Sequence, residues 1–165
     1  MTDDATDDAT YDERWLVPDL DDPDRAEFWR RCGSHRLEVQ RCDRCRHLRF
    51  PPRPMCPWCR STDHTWVALS GRGSVWSYVK VHPPLQAVFA EQAPYNVIVV
   101  QSDDDPTIRF VGNLVSGPDG ALGEIEADNI DIGEPVEVVF QQVAADVALP
   151  RWKRTGDLSL TDGSH

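Results

Sequence analysis

Four cysteines carry the clearest chemistry in this sequence. Cys42-Asp43-Arg44-Cys45 and Cys56-Pro57-Trp58-Cys59 are two C-x-x-C pairs with ten residues between them. Each pair can wrap a tight knuckle around one metal ion, and two knuckles close a tetrahedral four-thiolate site, with Zn–S distances of about 2.3 Å. The spacing predicts one structural Zn2+ held by Cys42, Cys45, Cys56 and Cys59, with iron in a rubredoxin-like site as the alternative. The ligands must be thiolates, and Arg44, Arg46, Arg49, Arg53 and Arg60 lie close in sequence to offset their charge. Either pair alone would suit a redox dithiol, but no thioredoxin-like βαβ pattern surrounds it. Cys32 reads as a buried, inert thiol, and His47 and His64 are not needed as ligands.

No other constellation points to chemistry. There is no G-x-S-x-G, no H-E-x-x-H, no phosphate-binding glycine loop and no dinucleotide fingerprint. His82 precedes two prolines on a loop, and Asp103-Asp104-Asp105 reads as a solvated turn. No residue is assigned a catalytic role, and the chain alone is expected to turn nothing over.

A ribbon this small has little core, so its metal should supply much of its folding free energy. The flanking elements must supply the rest. Asp22 is a good N-cap with Pro23 in the first helical position, Phe28, Trp29 and Cys32 share a face, and Gly33 can end the helix in a left-handed conformation. Downstream, residues 65–69, 74–81, 95–100, 108–115, 135–143 and 147–150 read as short strands. Gly112 interrupts one of them, where a bulge or a close approach is expected. Five or six short strands with glycine turns and no long helix suggest a Greek-key barrel of the OB type. The expected fold class is therefore mainly β, with an N-terminal helix, a zinc ribbon and a C-terminal OB-fold barrel. The expected domains are an acidic disordered tail at 1–14, a helical arm at 15–35, the ribbon at 36–66, the barrel at 67–154 and a flexible tail at 155–165.

Charge follows the same division. Of 165 residues with net charge -11, residues 1–24 carry -9, residues 25–72 carry +7 (eleven arginines against four acidic residues) and residues 73–165 carry -9. A hydrophobic share of 40% is enough for a core, and no apolar run approaches the roughly 20 residues that span a bilayer. The acidic N-terminus lacks the pattern of a signal peptide. The expectation is a cytoplasmic protein without membrane contact, in a compartment where thiols stay reduced.

Several segments together resemble the DUF35 family. They are Phe28-Trp29, Leu37 through Cys45, Arg49 through Cys59, Ser70-Gly71-Arg72-Gly73-Ser74-Val75, His82-Pro83-Pro84, Ala93-Pro94-Tyr95, Asn113-Leu114-Val115 and Gly133 through Val138. The resemblance covers about residues 25–154 and implies N-terminal helices, a rubredoxin-like zinc ribbon and an OB fold. It also implies an accessory subunit of a thiolase-superfamily, CoA-dependent enzyme. That enzyme would be a lyase or acyltransferase, such as a lipid-transfer-protein-like aldolase of steroid side-chain breakdown. Such a subunit would sit in a hetero-oligomer and help bind or channel acyl-CoA. On that reading Arg72, Gly73, His82, Pro83, Phe89, Tyr95, Trp29 and Trp58 are the candidate CoA- or partner-binding residues, with Trp15 a further candidate anchor.

Two other classes compete. Zinc ribbons and OB folds recur in nucleic-acid-binding proteins, and the ribbon half is basic. The barrel half, however, is acidic, where such a fold needs a basic groove. A stand-alone acyl-CoA-binding protein with no partner is the third class.

Overall fold

The computed structural model describes residues 17–144 and 146–156. The expectations for the two tails, and for Trp15, lie outside these residues. In chain order come helix α1 (Ala26–Gly33), strands β1 (Glu38–Cys42), β2 (Leu48–Arg49), β3 (His64–Ala68) and β4 (Arg72–Val81), and a short helix α2 (Ala87–Ala90). Strands β5 (Tyr95–Ser102), β6 (Arg109–Gly112), β7 (Pro135–Ala144) and β8 (Val147–Arg154) follow.

The helix begins one turn later than its capping residues suggest. Asp22 Oδ1 accepts the amides of Asp24 and Arg25 (2.9 and 3.0 Å), and the Asp22 carbonyl accepts the Ala26 amide. Asp22 therefore caps the turn that feeds α1. The left-handed residue at the other end is His35 (φ 56°), not Gly33. The amide of His35 bonds to the Cys32 carbonyl and that of Arg36 to the Arg31 carbonyl, which makes a Schellman motif. Gly33 is required for a different reason: a Cβ there would lie 2.3 Å from the Asp146 carbonyl oxygen.

The chain forms two sheets, with orders β2-β1-β3 and β6-β5-β4-β7-β8. The segment at 65–69, which by sequence precedes the barrel strands, instead pairs antiparallel with β1 through Val39↔Val67 and Arg41↔Thr65. The first sheet is the ribbon. The second curls into a nearly closed barrel: the chain after β6 runs beside β8, with the Val115 amide bonded to the Trp152 carbonyl and the Trp152 amide to the Asn113 carbonyl. This is the OB-like arrangement expected from the short strands. Strand β8 continues four residues past the expected 147–150, because residues 151–154 go on pairing with Val136–Val139 of β7. Gly112 is the expected close approach, since a Cβ would lie 3.0 Å from the Trp152 indole.

One core serves both sheets. Phe28 and Cys32 of α1 and Leu37 and Val39 of the ribbon side pack with Val75, Ile98, Val100, Phe110, Leu114, Val136 and Trp152 of the barrel. A run of aromatic contacts ties them together: Phe28–Phe50 at 5.2 Å, Phe50–Phe110 at 4.4 Å and Phe110–Trp152 at 5.8 Å between ring centres. The buried Asn96 closes the barrel floor. Its amide donates to the Leu114 and Ile125 carbonyls, and its oxygen accepts the Leu114 amide. Among the described residues no helix is long and apolar enough to cross a membrane.

Candidate metal centre and adjoining cleft

The two C-x-x-C segments fold as near-duplicate knuckles. The Arg46 amide bonds back to the Cys42 carbonyl and the Arg60 amide to the Cys56 carbonyl, both at 2.9 Å. Arg46 and Arg60 both take positive φ (68° and 62°), which turns each chain away from its sulfurs. The result brings all four Sγ atoms within 4.8 Å of one another, with Cys42–Cys59 and Cys45–Cys56 each at 3.5 Å. Cys42 and Cys56 are buried, Cys45 and Cys59 partly so.

The chemistry of this donor set suits a cation. The Cys45 amide, aided by that of Arg44, draws the Cys42 thiol down to about 6 against the opposing effect of burial. Burial opposes ionisation of Cys56, but the amides of Cys59 and Trp58 overcome it and lower its pKa. Cys45 is pushed up to about 12: the His47 amide favours its thiolate, and burial with the three neighbouring sulfurs outweighs that. Some of the sulfurs are thus prepared as thiolates, and four negative charges this close are stable only around a metal ion. A tetrahedral, all-sulfur set of this kind suits Zn2+ or iron. Cys32 differs on every count: it sits in the core at 0% exposure, and burial pushes its thiol up to about 12.

Neighbouring side chains hold the ribbon in register. His64 Nδ1 donates to the Thr62 carbonyl, leaving Nε2 to accept from Gln40 Nε2 at 3.1 Å. The Gln40 oxygen accepts the Arg53 amide and so clamps the proline-rich turn. His47 stacks on Trp58 with centroids 4.7 Å apart, which makes it a surface packing group. Of the five arginines, Arg44, Arg46, Arg53 and Arg60 are exposed. Arg49 is 2% exposed, and no guanidinium nitrogen of it has a hydrogen-bond partner. It pairs across the sheet with Gln40, and so shares the face that carries Cys42.

The other candidate residues do not form one site. Trp29, Phe89 and Tyr95 meet in a cleft of about 340 Å³ with Val97, Val111, Leu149 and Arg151. Arg72 and Gly73 lie at the far end of β5: Gly73 pairs with Ser102, while Tyr95 begins the strand. Gly73 is closely packed. It is buried, and a Cβ there would lie 2.3 Å from the Gln101 carbonyl oxygen. The turn before it is fixed by Asp104, which accepts the Ser70 amide and hydroxyl at 2.9 and 2.7 Å. His82 and Pro83 are exposed in the loop before α2, and Trp58 is 53% exposed at the ribbon tip.

Sequence reasoning missed Arg151, Leu149 and Leu122. By sequence the last strand spans 147–150, so Arg151 had no assigned face. Its alternation with the buried Trp152 is the signal that places it opposite the core.

Comparison with known proteins agrees with this architecture. Residues 29–65 match the sequence model of the ChsH2 rubredoxin-like zinc ribbon domain, and residues 66–141 that of the ChsH2 C-terminal OB-fold domain. A DUF35 domain-containing scaffold protein of Methanocaldococcus jannaschii is 32% identical over 64% of this chain and 68% of its own length. The chain belongs to the DUF35 family. A probable enoyl-CoA hydratase alpha subunit of Thermomonospora curvata is 35% identical over 77% of this chain, but the match spans only 36% of that longer protein. Among solved structures, a chain of the "Ltp2-ChsH2(DUF35) aldolase" aligns with a TM-score of 0.70 and 33% identity, covering 83% of this chain and 98% of that one. A DUF35 protein of Sulfolobus solfataricus shares the fold at 13% identity, with a TM-score of 0.51. As the family fold implies, the four-cysteine cluster of the ribbon is a metal-binding site.

Proposed function

We propose that this protein is a non-catalytic accessory subunit of a CoA-dependent aldolase or lyase with a thiolase-like catalytic partner, working in steroid side-chain degradation in the cytoplasm. The observation that carries this reading is the alignment over 98% of the DUF35 chain of an aldolase complex at 33% identity. A relative in Mycobacterium tuberculosis, named a 3-oxo-4,17-pregnadiene-20-carboxyl-CoA hydratase alpha subunit, supports the steroid substrate class; it is 31% identical over 75% of this chain. The catalytic nucleophile and acid–base groups belong to the partner on this reading.

In this reading the ion is Zn2+, bound by Cys42, Cys45, Cys56 and Cys59, and its part is structural. When bound it replaces the missing core of the ribbon. The ribbon then presents Met55 (50% exposed) and Trp58 (53% exposed), with the exposed arginines Arg44, Arg46, Arg53 and Arg60 on the same small module, as a rigid contact surface. Large exposed aromatics of this kind suit an interface centre.

The test is co-expression with a thiolase-like protein encoded beside this chain. The two should co-purify, and removing this chain should lower the partner's acyl-CoA turnover or solubility. An unaffected partner that does not co-purify would overturn the proposal. Elemental analysis should find one zinc per chain.

A further inference from the structure

Arg151 on β8 has a charge that no described residue neutralises. Its Nε donates to Gln141 Oε1 at 3.1 Å and its Nη1 to Asn113 Oδ1, both uncharged acceptors. No ion pair reaches it among the described residues, whereas its strand neighbours Lys153 and Arg154 are paired with Glu137 and Glu134. Burial lowers its pKa from the usual arginine value, the mark of a partly desolvated guanidinium. A guanidinium has five N–H donors, so the two bonds leave others unused.

Those donors sit where two clefts meet. One, of about 340 Å³, runs past Trp29, Tyr95 and Val97, and the other, of about 610 Å³, past Val143 and Gln92. Both share Phe89, Leu122, Leu149 and Arg151. Apart from Arg151 the shared wall is wholly apolar. Apolar walls with one desolvated, unpaired cation are complementary to a molecule that is itself apolar with one anionic end.

We propose that this cleft binds an amphiphilic organic anion, its apolar body against Phe89, Leu122 and Leu149 and its phosphate or carboxylate on the Arg151 guanidinium. Asn113 and Gln141 hold the guanidinium plane in place, which is what bidentate binding of an anion requires. A phosphate would come from the head of an acyl thioester and a carboxylate from a free acid. The inference rests on the reading of this chain as a CoA-associated subunit only for the first of these sources.

Calorimetric titration of the full-length, metal-loaded protein separates the possibilities. The probes are octanoyl-CoA, octanoate, CoA, inorganic phosphate and octanol. Octanoyl-CoA or octanoate should bind more tightly than CoA, phosphate or octanol, and whichever of the two binds identifies the source of the anion. Arg151→Gln should weaken that binding roughly tenfold or more, and Arg151→Lys, which keeps the charge but loses the planar fork, should fall between the parent and Arg151→Gln. Phe89→Asp, on the rim and outside the core, should weaken it comparably, and it decides the matter alone if melting curves show that Arg151→Gln does not fold. The inference is wrong if neither amphiphile binds, if octanol binds as well as they do, or if both variants bind as the parent does. Co-purification of Arg151→Gln with the thiolase-like partner is scored separately. In the unsubstituted protein, absence of ligand binding with the complex intact defeats the cleft alone, and absence of the complex with the ligand still bound defeats the subunit reading alone.

Discussion

The ribbon and the barrel solve the same problem by different means. Ribbon strands are five, two and five residues long, and two of the larger apolar side chains, Met55 and Trp58, face solvent. Its organising centre is four sulfurs. The barrel has strands of up to ten residues, and β5 alternates half-exposed and buried positions along its whole length. Its organising centre is Trp152, Ile98, Leu114, Val75 and Val100, all at 1% exposure or less. The difference teaches that the stability of this chain has two sources with different sensitivities. Metal, thiol chemistry and acid act on one; cavity volume and buried polar bonds act on the other.

The largest expected effect breaks the ribbon. Apparent binding free energies of structural zinc are about 10–16 kcal/mol at neutral pH, so Cys56→Ser or chelation should unfold this region outright. Hydrogen exchange should show β1, β2 and β3 losing protection while β4, β5, β7 and β8 keep theirs. Equal loss in both sheets would mean that the two regions unfold as one unit. Acid should act in the same order, because protonating the thiolates releases the metal.

The converse experiment enters the barrel. Trp152→Ala should cost about 3–5 kcal/mol in denaturant unfolding. Zinc content measured under folding conditions should stay at the parental level. Zinc loss in this variant would show that the ribbon depends on the barrel core more than on its own metal.

A smaller effect sharpens the comparison. Asn96→Ala removes the three bonds to Leu114 and Ile125 and strands buried backbone groups, for about 2–3 kcal/mol. Its unfolding midpoint should fall while the metal site stays intact. At the bottom of the scale is Lys80→Ala, which removes the Lys80–Asp128 pair. That pair is solvent-screened, so the midpoint should not move measurably.

The same contrast decides what could be read in advance. The metal ligands were legible because chemistry fixes their spacing, and the barrel strands because period-2 patterns and glycine turns mark them. What escaped notice depends on contacts between distant residues. His35, in the left-handed position of the Schellman motif, has its ring stacked on Phe140 at 5.3 Å, and nothing local signals that contact. Gly33 is a glycine because the β7–β8 turn comes against it. Arg151 emerged as a candidate only once Asn113, Gln141 and the loop carrying Phe89 were seen to converge around it. The family resemblance selected Trp29, Phe89 and Tyr95, which do adjoin, and also Arg72 and Gly73, which lie at the opposite end of β5.

The position of β3 has a consequence for anyone recombining these proteins. The two family domains meet between residues 65 and 66, inside the strand His64–Ala68. A chimera cut at that seam would give β3 a split parentage. Thr65, opposite Arg41, would come from one parent, and Val67, opposite the core residue Val39, from the other. The seam that sequence comparison draws is therefore a poor crossover point. A crossover at residues 69–71, after the strand has finished pairing with β1, keeps the ribbon sheet from a single parent.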